Sequence, residues 1–120
     1  MKHNILVIDD NEDMIELMKL ILSDQNYEAK FAHNGQEALD VLTSGFVPNL
    51  IIVDHNMEIM NGPDFLIAFE RDFSPLFQLT PVVLLTAHDA RSLAPNKATE
   101  VVKKSGINEI EQVLSKYLAD

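Results

Sequence analysis

The chain has 120 residues, 47% of them hydrophobic, which is one domain's length with enough apolar material for a real core. It contains no cysteine, so a disulfide framework and a thiolate metal site are both excluded. A formal net charge of −10 argues against direct binding to nucleic acid or anionic lipid. The same excess of acid could hold a cation.

In chain order, the first residues run straight into an apolar stretch too short for a signal peptide, and no later run approaches a membrane span. Ile5-Leu6-Val7-Ile8 reads as a strand buried on both faces. Met14, Leu17, Met18, Ile21 and Leu22 recur at helical spacing, predicting a helix from Asp13 to about Gln25. Tyr27 to Ala32 alternates weakly as a second strand. Asn34 with Glu37 forms a capping-box pattern, opening a helix that ends near Gly45. Leu50-Ile51-Ile52-Val53 is a third strand closed by Asp54. Gly62-Pro63 opens a helix whose apolar face is Phe65, Leu66, Ala68 and Phe69. Phe73 to Thr80 reads as a long connection. Val82 to Leu85 is a fourth strand ending at Thr86. Thr99 to Val102 is a short fifth strand followed by Lys103. Asn108 and Glu111 again look like a capping box, opening a last helix with Ile110, Val113, Leu114, Tyr117 and Leu118 inward.

Strands alternating with helices predict an α/β fold, a doubly wound five-stranded parallel sheet. Such sheets bind ligands beyond the carboxyl ends of their strands. Those ends carry Asp9 and Asp10, Asp54, Thr86 and Lys103. Gathered carboxylates repel: two charges 4 Å apart at an effective dielectric of 20 cost roughly 4 kcal/mol. All-oxygen donors call for a hard divalent cation, and Mg²⁺ suits them. A carboxylate beside such an ion can attack a phosphoryl group and form an acyl phosphate. The Lys103 ammonium would neutralise charge, and the Thr86 hydroxyl could donate to a phosphoryl oxygen. His55 and His88 flank this region and read as solvent-facing.

These residues, in this order, resemble a response-regulator receiver domain (CheY-like), and the resemblance spans essentially the whole chain. It implies a flavodoxin-like strand order 2-1-3-4-5 and a single domain over residues 1–120, standing alone without an output domain. It implies a cytoplasmic signalling protein rather than an enzyme. Asp54 would accept phosphate from a histidine kinase or phosphotransfer protein and switch a surface read by a downstream protein. Asp10 and Asp54 would ligate Mg²⁺ with the Asn56 backbone carbonyl, Asp9 acting through water. Thr86 and Lys103 would contact the phosphate. Gly62 matches the family's glycine eight residues after the acceptor.

The chain also departs from that pattern. Met57 is followed by Glu58 rather than proline, Lys103 by Lys104 rather than proline, and Glu100 stands where an inward-swinging aromatic is usual. Only sixteen residues separate Thr86 from Lys103, so the fourth helix, over His88 to Ala98, is expected to be shortened or missing. Two other readings stay open: a receiver-like binding module that signals without phosphate, and a phosphatase with an aspartate nucleophile. For the latter, Asn56 stands where a general acid is wanted.

Overall fold

The computed structural model describes residues 3–23, 26–55, 57, 59–87, 98–104 and 106–118. Five strands, β1 (His3–Ile8), β2 (Tyr27–Ala32), β3 (Leu50–Asp54), β4 (Val82–Thr86) and β5 (Glu100–Lys103), form one sheet. The order is β2-β1-β3-β4-β5, and every pairing is parallel. This is the expected doubly wound α/β sheet.

The unbroken apolar runs make sense because alternate side chains enter opposite cores. Leu6, Ile8, Ile51, Val53, Val82 and Leu84 pack on one face with helices α2 (Gly35–Thr43) and α3 (Gly62–Asp72). Ile5, Val7, Leu50, Ile52, Val83 and Leu85 pack on the other with α1 (Glu12–Ile21) and a C-terminal helix at Ile107–Leu118. A strand in either position needs an apolar residue at every step, so no period of two survives in its sequence.

Helices α1, α2 and α3 start at asparagines. Asn11 Oδ1 accepts the N–H groups of Asp13 and Met14 at 2.9 and 3.1 Å. Asn61 Oδ1 accepts Asp64 N–H at 2.9 Å, with Pro63 in the first turn of α3. Asn34 caps α2 through Glu37 N–H at 2.9 Å, as the capping-box pattern predicts. Glu37 returns its carboxylate to His33 N–H rather than to the cap residue's own amide.

Two expectations need correction. The segment Phe73–Thr80 is not a bare connection: Ser74–Leu79 is a short helix, α4, that Pro75 enters in its first turn. It has no side-chain cap and no buried residue, and Phe77 secures it by an edge-on contact with Phe69 at 5.6 Å. The last helix, α5, starts at Ile107, so Asn108 lies inside it rather than capping it. The expected loss of a helix between β4 and β5 falls on 88–97, outside the described residues. Among the described residues, no helix is long and apolar enough to cross a membrane.

Candidate functional site

Parallel register brings the carboxyl ends of β1, β3, β4 and β5 to one edge of the sheet. Asp9 follows β1, and its N–H donates to Ala32 at the end of β2 at 3.0 Å. Asp9 Oδ1 accepts the Asn11 amide at 2.9 Å, so the turn into α1 fixes the carboxylate. Asp54 is the last residue of β3. Carboxylate oxygens of Asp9, Asp10 and Asp54 lie within 4.8 Å of one another. Asp9 is 2% exposed and Asp54 8%, while Asp10 faces solvent.

This crowding has an electrostatic signature. Burial, and then the Asp9 charge, hold the Asp54 carboxyl above the ordinary carboxylate range. Oxygen-only donors of high charge at one sheet edge fit a hard divalent ion such as Mg²⁺. The Asn56 carbonyl expected to join them lies outside the described residues, as do Glu58 and His88.

Thr86 is fully buried at the tip of β4, one residue beyond Leu85, which pairs with Asp54. The two adjacent lysines lie differently. Lys103 closes β5, pairs with Thr86 in register and is exposed. Lys104 turns inward instead. Its Nζ donates to Asp9 Oδ2 at 3.0 Å and lies 3.4 Å from Asp54 Oδ1. Burial alone would lower the Lys104 pKa, but the contacts with Asp9 and Asp54 outweigh it and raise the pKa above the usual lysine range. The structure therefore brings Asp9, Asp10, Asp54 and Lys104 together, and leaves Lys103 outside.

Two glycines hold the surrounding loops close. A Cβ at Gly62 would sit 2.6 Å from the Asp54 carbonyl oxygen and 2.7 Å from Leu84 Cδ1. Gly62 N–H also donates to His55 O at 3.1 Å, tying the start of α3 to the end of β3. Because the obstruction is backbone, Gly62→Ala is expected to destabilise by about 2 kcal/mol or more, read by urea denaturation. At Gly35, a Cβ would meet Met60 Cγ at 2.6 Å, so α2 abuts the β3–α3 loop directly.

One cluster has only a weak sequence signal, the four-residue spacing of His33 and Glu37. His33 Nε2 lies 2.7 Å from Glu12 and its Nδ1 3.2 Å from Glu37, linking the starts of α1 and α2. The Glu37 contact, together with Glu12, raises the His33 pKa. A raised histidine contributes stability that is complete below its unfolded pKa and lost as pH rises through the folded value. The pair is solvent-screened, so the loss is expected to stay below roughly 1 kcal/mol. Thermal melts of wild type and His33→Ala should differ at pH 6 and draw together as pH rises through the raised folded value. A gap that widens with pH would contradict this.

A model of the response regulator receiver domain matches residues 5–115. The chain belongs to that family. Its receiver fold superposes on the Thermotoga maritima response regulator TrrA, solved in complex with Mg²⁺–BeF, with a TM-score of 0.79, 32% identity and coverage of 98% and 99% of the two chains. The Vibrio cholerae chemotaxis protein CheY4 gives a TM-score of 0.81 at 25% identity, covering 98% and 99%. Among curated relatives, the receiver is 33% identical over 85 residues to the transcriptional regulatory protein CpxR of Escherichia coli. That match takes in 71% of this chain but 34% of CpxR, so the chain spans about a third of that relative's length. Sporulation initiation phosphotransferase F of Bacillus subtilis is 25% identical, over 98% of this chain and 95% of its own. Receivers are phosphoacceptor modules of two-component signalling rather than classical enzymes.

Proposed function

We propose that this receiver takes a phosphoryl group onto Asp54 from the phosphohistidine of a histidine kinase or phosphotransfer protein, in the cytoplasm, and thereby switches a surface recognised by a downstream protein. The supporting observation is a buried carboxylate at a strand tip, crowded by Asp9 and Asp10 and approached by an ammonium group.

An Asp54 carboxylate oxygen attacks phosphorus as the P–N bond to the donor imidazole breaks. The bonding electrons stay on the imidazole nitrogen, which takes a proton from solvent. Mg²⁺, held by Asp10 and Asp54 with Asp9 behind them, would supply charge neutralisation on the phosphoryl oxygens. Asp9 is held by the Asn11 amide and so keeps its second oxygen toward the site. The buried Thr86 hydroxyl is proposed to donate to a phosphoryl oxygen once the acyl phosphate forms.

Incubating the chain with acetyl phosphate and Mg²⁺ should add the mass of one phosphoryl group, and EDTA should prevent it. The second reading, a module that binds partners without phosphate, is favoured by Lys104 already neutralising Asp9 and Asp54. An unmodified mass with Mg²⁺ present would support that reading and sink the first.

A further inference from the structure

The outer edge of β2 has no partner strand among the described residues. His3 N–H donates to Asn26 O at 2.7 Å and Asp9 N–H to Ala32 O at 3.0 Å, so the even-numbered backbone groups of this strand face β1. By alternation, the N–H and C=O groups of Tyr27, Ala29 and Phe31 point away from the sheet. An outward row of this kind is a template for another strand, and natural edges are often blunted with charge. Here the charges are Glu28 and Lys30, both exposed, opposite in sign and placed evenly about Ala29. Against most strands that pair is a barrier. Against an antiparallel copy of itself it is complementary.

We infer that β2 pairs antiparallel with β2 of a second copy of this chain, about a two-fold axis at Ala29. In that register Ala29 faces the second copy's Ala29 and Tyr27 faces its Phe31, as hydrogen-bonded pairs made by the outward groups. Glu28 faces its Lys30 in the closer, non-hydrogen-bonded position, on both sides of the axis. Sliding the register by two residues either way sets Lys30 against Lys30 or Glu28 against Glu28, so the charges also fix the alignment. The faces agree as well. Tyr27, Ala29 and Phe31 are half-buried on the α1 side, so each aromatic pair extends a core already there. Glu28 and Lys30 lie on the α2 side, where Lys30 Nζ sits 5.6 Å from the Phe46 ring. Each copy carries a formal charge of −10, so pairing needs enough salt to screen that repulsion.

Sedimentation velocity of the full chain in about 0.15 M salt tests this, in wild type, Glu28→Lys, Lys30→Glu and the double exchange. Wild type should pass from monomer toward dimer as its concentration rises to about 1 mM. Each single exchange sets like charges opposite each other on both sides of the axis and should weaken the dimer about tenfold or more. Glu28→Lys lowers the net negative charge and Lys30→Glu raises it, so general repulsion would move the two in opposite directions. The double exchange should restore dimerisation, because it keeps the composition and only swaps the signs. Circular dichroism checks that each variant is folded. Wild type alone gives a second readout: amide exchange should slow with concentration at Tyr27, Ala29 and Phe31 and hold steady at Glu28 and Lys30, which face β1. A wild type monomeric throughout, a dimer indifferent to the single exchanges, or a double exchange that fails to restore it would overturn the proposal. Protection that grows on another surface instead would overturn it too, by seating the second copy elsewhere.

Discussion

Asp54→Asn is expected to abolish phosphoryl acceptance and, in buffer free of divalent ions, to make the protein more stable. The two effects share a cause. Burial and the nearby Asp9 charge oppose ionisation of Asp54, so the folded protein holds a proton on this carboxyl more tightly than the unfolded chain does. Below the unfolded pKa both states are protonated and nothing is lost. As pH rises through the raised folded value, keeping the ionised group costs stability. Asparagine removes the charge and keeps the shape. It also gives up the 3.4 Å approach of Lys104, which partly offsets the gain. The net expected gain at pH 7 in EDTA is roughly 1 to 2 kcal/mol by urea denaturation. The gap should close as pH falls through the raised pKa, because wild type then becomes neutral at this position too. Saturating Mg²⁺ should also narrow it, because the ion stabilises the state that binds it. A variant less stable than wild type in EDTA would mean that Lys104 compensates the buried charge fully.

The largest loss of stability is expected from Phe69→Ala. Phe69 is fully buried on α3, stacked on Phe65 at 5.6 Å and met edge-on by Phe77 at 5.6 Å. Truncating a buried phenylalanine costs about 3 to 5 kcal/mol, a third or more of the total for many domains of this size. The damage should not be even. Helix α4 lacks both a cap and a buried residue, and the contact it loses is its ring-to-ring anchor. Amide exchange at residues 76–79 should therefore accelerate more than exchange in β3. Uniform acceleration would show that α4 is held by something other than the Phe69–Phe77 contact.

The sheet was legible because its strands are buried on both faces and show as unbroken runs of Val, Ile and Leu. The acids that end those runs were legible for the same reason: a charged residue after four apolar ones marks where the strand leaves the core. Asp9, Asp10 and Asp54 follow from that pattern directly.

What was not legible turns on short-range geometry. Thr99 was expected to open the fifth strand. Its hydroxyl instead accepts the Val82 N–H at 2.9 Å, and the ladder starts at Glu100. The strand closes at Lys103, and the side chain that reaches Asp9 and Asp54 is that of Lys104, the next residue. Two valines followed by two lysines give no pattern to signal this. Helix α4 was missed because six residues are too few for a helical period to emerge. Asn11 and Asn61 carry the right cap chemistry, but neither has Glu or Gln three residues later to complete the pattern. Glu100, noted only as the missing aromatic, accepts the Tyr117 hydroxyl at 2.6 Å and Lys116 at 2.8 Å, joining β5 to α5.

Borohydride trapping tests the central claim most directly. An acyl phosphate on a carboxylate is reduced to the alcohol, which leaves a stable mark on the accepting residue. After treatment with acetyl phosphate and Mg²⁺, peptide mass mapping should find that mark on Asp54 alone and lose it when Mg²⁺ is withheld. A mark on Asp9, Asp10 or a remote acid, or none on a folded protein with Mg²⁺ present, would contradict the account.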